Sequence, residues 1–587
     1  MKRIKLYLLL MLTCIAAQCL AEESAPVVSA SSILNDSYSA RYAVDGDPKT
    51  SWIASFQGKN HYLMIDFGGE RDINQVEIQW SKELYALEYK LQIAGEDKKW
   101  RTLFHQQNGK GGTEKLTELK GHGSYLRVLC LKAFKPGRFS ILELNFGHPD
   151  VIKKLEHVHK EKVLADLKFM KKKLAEFGVR EIVFAARAQS NDRHWYANLG
   201  YWSFNENRMI YGKGGFLCKL NVDKNEMTFL INDSEGTIRD PVVHYDAKKI
   251  LFSWRKSGTR IFHLYECDIN GKNIKQLTDG EYDDIEPCYL PDGGIIFVST
   301  RCNRWVNCWL TQVAILYRCD GDGKNIRQLS ANVEHDNTPW VLHDGRILYT
   351  RWEYVDRSQM VYHHLWTANP DGTGQMVYFG NLRPGGVFID AKPIPGSEDV
   401  VLINSPGHGG RDHCGLLATL TEKLGPDNLS ALKNIVYGRR GDYRDPWAFS
   451  EDFFIVAEQR SIFAMDAAGR KFSIYSLPSE FMDLMIHEPR PIIRRERERI
   501  IPPRVNLSKN TGQLILNDVY FGRNMKGVKR GEIKKLLVLE SLPKPVNFTG
   551  GMDPLTYGGS FTLERIVGTV PVEDDGSAFM ELPANRA

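Results

Sequence analysis

The chain has 587 residues, 42% hydrophobic and 25% charged. That is the composition of folded globular protein, with room for three or four domains at about 100 to 200 residues each. Its 77 basic and 72 acidic residues leave a net charge of only +5, so nucleic acid is not an implied partner.

Residues 1–21 read as a signal peptide. Lys2, Arg3 and Lys5 precede an apolar run from Leu6 to Ala17, and Cys19-Leu20-Ala21 suits cleavage after Ala21. The expectation is an exported protein, periplasmic or secreted to the cell surface, with lipid modification of Cys19 as the alternative. No later stretch is long and apolar enough for a membrane span. Eight cysteines lie beyond this segment, and Cys267, Cys288, Cys302, Cys308 and Cys319 crowd together. Export permits a disulfide there; buried free thiols are the other reading.

Across residues 26–148, strand-like runs such as Tyr62–Phe67, Gln75–Trp80 and Tyr125–Leu129 alternate with Gly, Asp and Asn turns, as in an antiparallel β-sandwich. Asp45 and Asp47, two apart on a Gly-containing loop with Thr50 nearby and Glu143 far along the chain, supply hard oxygens of the kind Ca²⁺ prefers. The alternative is an Asp-rich turn bonded to its own backbone.

Ala43-Val-Asp-Gly-Asp-Pro-Lys-Thr-Ser-Trp52, Leu63-Met-Ile-Asp-Phe-Gly68 and Ser140-Ile-Leu-Glu-Leu144 together resemble the discoidin, or F5/8 type C, family of jelly-roll domains. The resemblance implies a structural calcium ion held by side chains of Asp45, Asp47, Thr50 and Glu143 and by the carbonyls of Tyr42 and Leu142. It also implies a glycan or cell-surface polymer as partner, bound by loops at one end of the sandwich. Phe56, Gln57, Asn60 and His61 are the glycan-binding candidates there, with plain solvated loop residues as the alternative.

Residues 149–179 space their apolar positions by threes and fours and read as an amphipathic helical linker with a Lys-rich solvated face. From 180 to 487 the chain repeats itself. Ile274-Lys-Gln-Leu-Thr278, Pro287 and Asp292-Gly293 return as Ile326-Arg-Gln-Leu-Ser330, Pro339 and Asp344-Gly345, each shifted by 52 positions. Prolines at 241, 287, 339, 393 and 446 extend the register to six units of about four strands. A linear stack needs capping units, so the expectation is a closed six-bladed β-propeller, with Glu181–Phe184 locking the ring. Seven blades is the alternative if residues 482–493 form another. The Asp-Gly turns resemble TolB-like propeller repeats.

Asp240, Asp284, Glu286, Asp336, Asp390 and Asp445 gather before the prolines. They read either as a ring at one channel mouth, fit for a metal or cation, or as caps of their own turns. His408, His413 and Cys414 offer transition-metal ligands, but at no closed four-ligand spacing; a flexible loop with incidental histidines is the other reading.

Residues 488–587 read as a partial β-rich C-terminal domain. From Arg180 onward, His194-Trp-Tyr-Ala-Asn198, Arg301-Cys-Asn-Arg-Trp-Val-Asn-Cys-Trp309, Tyr349–Arg357 and Leu542-Pro-Lys-Pro545 resemble the hydrazine synthase alpha subunit family, whose order is propeller, middle domain and haem-bearing part. The resemblance implies a middle-like domain at 488–587, expected to be truncated. The chain contains no Cys-x-x-Cys-His, so no haem is expected in it. Neither a nucleophile elbow nor a phosphate loop is present.

The expected function is an exported multidomain binding protein: carbohydrate or surface binding through the sandwich, and the propeller as a platform for a protein partner. The alternatives are a redox component whose haem part is absent from this chain, or a polysaccharide-degrading enzyme using carboxylates such as Asp336 and Asp390.

Overall fold

The structure is a computed structural model, and it describes residues 25–33, 38–54, 60–135, 138–196, 201–202, 205–354, 357, 361–436, 441–522, 524–546, 555 and 562–586. The chain divides into two compact units, Met1–Lys168 and Phe169–Ala587. Regular structure is overwhelmingly strand, with one long helix, α1, at Pro149–Glu176 among the described residues. No described helix is long and apolar enough to cross a membrane.

The first unit is a two-sheet antiparallel sandwich. Five strands order as Val27–Ala30, His61–Ile73, Gly121–Ala133, Ala86–Ala94 and Arg101–Gln106; four order as Trp52–Ile53, Ser140–Asn145, Val76–Trp80 and Thr113–Leu116. The period-2 pattern of Val76-Glu-Ile-Gln-Trp80 sends Val76, Ile78 and Trp80 inward and leaves Glu77 and Gln79 half-buried. Trp52, Phe67, Trp80, Tyr89 and Phe146 fill the space between the sheets, and the first turns of α1 add Val151 and Leu155.

In the second unit, six four-stranded blades form a closed propeller. The inner strands are Thr237–Val243, Asp284–Tyr289, Asp336–Val341, Val387–Pro393, Tyr443–Ser450 and Leu484–Pro491. Each packs on the next, and the sixth returns to the first. Blade six joins distant parts of the chain: Leu484–Pro491 pairs with Glu181–Ala188, followed outward by Gly215–Asn221 and Glu226–Asp233. Glu181–Phe184 therefore does lock the ring, while residues 482–493 make no seventh blade because their strand fills the innermost place of the sixth. The last turns of α1 bury Met170 and Leu174 in the core of this unit.

After the sixth inner strand, residues 492–505 cross the propeller face as a strap. Backbone N–H groups of Ile492, Arg495 and Arg499 donate to the carbonyls of Glu181, Tyr245 and His343. Two further ladders follow, Thr511–Leu516 with Ala578–Pro583 and Lys535–Leu542 with Leu563–Pro571. The eight described cysteines are all free thiols, so the bridge expected within 267–319 is not formed. Cys302 Sγ instead donates to the Val313 carbonyl at 3.4 Å, and Cys308 Sγ lies 3.9 Å from the Tyr196 hydroxyl.

Candidate functional site

Each inner strand of the propeller slips register, Tyr443–Ser450 twice and the other five once. At one slip in each strand stands a residue of positive φ: Asp240 (58°), Glu286 (52°), Thr338 (51°), Asp390 (56°), Asp445 (54°) and Glu488 (46°). A bulge turns one backbone N–H out of its ladder, and a buried N–H needs another acceptor. At four of the six, the side chain at the preceding blade's bulge supplies it. Glu286 N donates to Asp240 Oδ2 (2.9 Å), Thr338 N to Glu286 Oε2 (2.6 Å), Asp390 N to Thr338 Oγ1 (3.3 Å) and Glu488 N to Asp445 Oδ2 (3.0 Å).

Four cations complete this ring. Arg187 grips both oxygens of Glu488 (2.8 and 2.9 Å), and Arg239 bridges Asp240 (2.7 Å) and Glu286 (3.1 Å). Arg490 donates to the Asp445 carbonyl (2.9 Å) and Lys392 to that of Asp390 (3.2 Å). Burial pushes Glu488 up to about 7 against the pull of Arg187 and lowers Lys392 to about 8. His413 is 3.5 Å from Asp390; burial opposes its charge, but the aspartate holds it up at about 9. The cavity at the hub, also lined by Tyr211 and Asp412, is about 50 Å³, enough for a few waters and too small for a sugar ring.

Asp445, His487 and Glu488 bring ligand atoms within 4.8 Å of one another, the one such group among the described residues. Arg187 already occupies both Glu488 oxygens, and burial followed by the charge of Arg187 drives the His487 imidazole well below its usual value. The arginines here neutralise the carboxylates in place of a metal. The ring is best read as a polar hub that staples six blades together.

The sandwich carries a different site. Thr50 Oγ1 lies 3.0 and 2.9 Å from the two Asp45 carboxylate oxygens, 3.4 Å from the Tyr42 carbonyl and 2.9 Å from that of Asp47. Asp47 N donates to Asp45 Oδ1 at 3.1 Å, and Gly46, at φ 76°, makes the sharp turn between them. Glu143 arrives from Ser140–Asn145 with its Oε2 buried and without a hydrogen-bond partner. Burial, then the negative charges of Asp45, Glu156 and Asp47, push its carboxyl up to about 7 while the Gly46 N–H pulls the other way. These hard oxygens, with one buried carboxylate oxygen left without a partner, fit the donor chemistry of Ca²⁺.

Residues 27–144 match the family model of the F5/8 type C domain. In fold, the chain is similar to Kuenenia stuttgartiensis hydrazine synthase, with 18% identity, a TM-score of 0.58, and 70% of this chain and 64% of that one covered. It thus spans under two thirds of that protein. Also similar are chitosan-binding module 2 of the Paenibacillus sp. IK-5 chitosanase/glucanase in complex with chitotriose (21% identity, TM-score 0.20, 21% of this chain and 96% of that one), and Clostridium perfringens CpGH89CBM32-5 in complex with GalNAc-β-1,3-galactose (18% identity, TM-score 0.20, 21% and 95%). No curated protein matches the sequence.

Within the F5/8 type C domain, the structure gathers Asp45, Thr50 and the Tyr42 carbonyl in one loop, places Asp47 at its exposed tip and sets Glu143 beside it; Leu142 precedes Glu143 in the same strand. Of the glycan candidates, Asn60 is exposed. His61 is not available to a sugar as expected: it is buried, its Nδ1 pairs with Ser32 Oγ at 2.8 Å and its ring packs on Phe139. Phe56 and Gln57 lie outside the described residues.

In the propeller, Asp240, Glu286, Asp390 and Asp445 reach the channel as expected. Asp284 and Asp336 do not, because each sits two residues before the bulge, buried and gripped by Arg301 (3.1 and 2.7 Å) or Arg351 (2.9 and 3.1 Å). Arg351 takes both carboxylate oxygens of Asp336, which therefore does not stand beside Asp390 in the channel. Thr338, Glu488, Arg187, Arg239, Lys392 and Arg490 escaped the sequence reading, although Glu488-Pro489 repeats the acid–proline step of Asp240-Pro241, Glu286-Pro287 and Asp445-Pro446. His408, His413 and Cys414 do not converge on one point. His408 packs among His363, Tyr196 and Trp352, His413 lines the channel, and burial raises the Cys414 thiol.

Proposed function

We propose that the protein is an exported, calcium-dependent carbohydrate-binding protein whose F5/8 type C domain engages a glycan or cell-surface polymer and whose propeller is a rigid platform for a protein partner. The observation carrying this reading is Glu143, a buried carboxylate with an orphaned oxygen beside the Asp45–Thr50 loop, inside a domain of this family. Asp45, Asp47, Thr50 and Glu143, with the carbonyls of Tyr42 and Leu142, would hold the calcium ion. The ion supplies a fixed positive charge that orders the loop. The chain's own contribution is to prepay the loop's conformation: Thr50 ties Asp45 to the backbone at Tyr42 and Asp47 before any ion arrives.

Calorimetric titration of the full chain, stripped with chelator, is expected to show one calcium site, and Asp45→Asn to weaken it at least tenfold. A glycan array probed with and without calcium should then give calcium-sensitive binding. Absence of binding to every polysaccharide in both conditions would sink the carbohydrate reading. Export is checked separately by the N-terminus of the mature protein, expected at Glu22.

A further inference from the structure

The strap after the sixth blade roofs a cavity of about 570 Å³ on the propeller face, well within the roughly 300 to 1,000 Å³ of small-ligand sites. Its walls are aromatic. Trp340 and Trp447 meet edge to face at 5.7 Å and 85°, with Phe449 and Phe177 beside them. Its roof is basic. Arg494, Arg495, Arg497 and Arg499 line it from the strap and Lys392 from the inner strand Val387–Pro393, against only Glu496 and Glu498.

One of those acids is already committed, since Glu498 accepts from the Tyr245 hydroxyl and lies 3.7 Å from Arg495. Arg494, Arg497 and Arg499 are exposed and make no ion pair among the described residues. Nor are the cations free to scatter. The strap is pinned at Tyr245 and His343, and Arg497 Nη1 donates to the Pro291 carbonyl at 3.0 Å, so its charges are laid across three consecutive blades.

A surplus of guanidinium groups held in a cavity is a site for anions, because the planar fork matches carboxylate and sulfate oxygens. Two features narrow the class. The cations run along an arc and do not converge on a point, which suits negative charges repeated along a chain better than one phosphate cluster. Indole walls suit the apolar faces of sugar rings. We infer that this cavity binds a short acidic oligosaccharide, of the hexuronate class, through Arg494, Arg497 and Arg499, with the half-buried Trp447 on its wall; Trp340 behind it is buried under Lys392, Arg490 and Arg495. The inference concerns a second site, in the propeller, and does not depend on calcium or on the sandwich.

The test uses the full chain and a trigalacturonate probe, with chitotriose as the uncharged arm and inorganic sulfate as the bare anion. Binding is expected for trigalacturonate, to weaken at least tenfold in 0.5 M salt, and to weaken at least tenfold in the double variant Arg494→Ser/Arg499→Ser, whose exposed side chains leave the fold intact. It should be unchanged by chelator and by Glu143→Gln, which separates it from the sandwich site. Trypsin cleavage between Arg494 and Arg499, followed by mass spectrometry, should slow when the probe is bound. Equal affinity for chitotriose or sulfate, binding untouched by the double variant, or cleavage unaffected by the probe would each overturn the assignment.

Discussion

Glu143 shows how burial and like charges tie one carboxyl's protonation to stability. Its folded value of about 7 lies above the ordinary glutamate value of 4.5, because burial and three neighbouring carboxylates penalise the charge. The folded state therefore binds more protons than the unfolded chain between those values, and stability falls as pH rises through that window. In chelator, the melting temperature of the sandwich is expected to drop between pH 5 and pH 7.5, and calcium should restore it most at the alkaline end. Glu143→Gln should flatten both responses, as followed by calorimetry. The buried pair Arg187–Glu488 makes the opposite kind of statement. Glu488→Ala strands a fully buried guanidinium and should cost about 3 to 5 kcal/mol by denaturant unfolding.

At the scale of the strand, the six bulges explain what the residue pattern conveyed and what it hid. The 52-residue repeat and the prolines marked the inner strands, so Asp240, Glu286, Asp390 and Asp445 could be read as channel acids. The phase could not be read: one bulge moves the inward position by a residue, and that separates Asp336 on its arginine from Thr338 in the ring. Thr338 also breaks the chemical pattern, since a β-branched side chain at φ 51° is strained where its five counterparts are Asp or Glu. Thr338→Asn keeps an oxygen for the Asp390 N–H and tolerates the left-handed region. It is expected to stabilise the protein by up to about 1 kcal/mol, measured by urea unfolding. In the sandwich, the meeting of the Asp45–Thr50 loop with the remote Glu143 was legible from their acidic residue types alone. The burial of His61 was not, because nothing at residue 61 announces Ser32 and Phe139 as its neighbours.

For the molecule as a whole, two compact units predict two thermal transitions, only one of which should move with calcium. Coincident transitions with a common calcium response would contradict that independence. The propeller's integrity, by contrast, rests on one late strand. Deleting residues from 484 onward removes the inner strand of blade six, the partner of Arg187 and the strap together, and is expected to leave the second unit unfolded by near-UV circular dichroism. That late strand was visible in sequence only as an uncertain extra blade, since its partner lies at the opposite end of the repeat array.

Arg187 and Glu488 stand 301 positions apart. At a synthesis rate of about 5 to 20 residues per second, the inner edge of Glu181–Ala188 waits roughly 15 to 60 s for the strand that covers it. An unpaired, largely apolar edge invites pairing with another chain. The ring therefore has a vulnerable interval set by the clock of translation, and slowing elongation between codons 188 and 484 should increase aggregation of the nascent protein without changing the stability of the finished one.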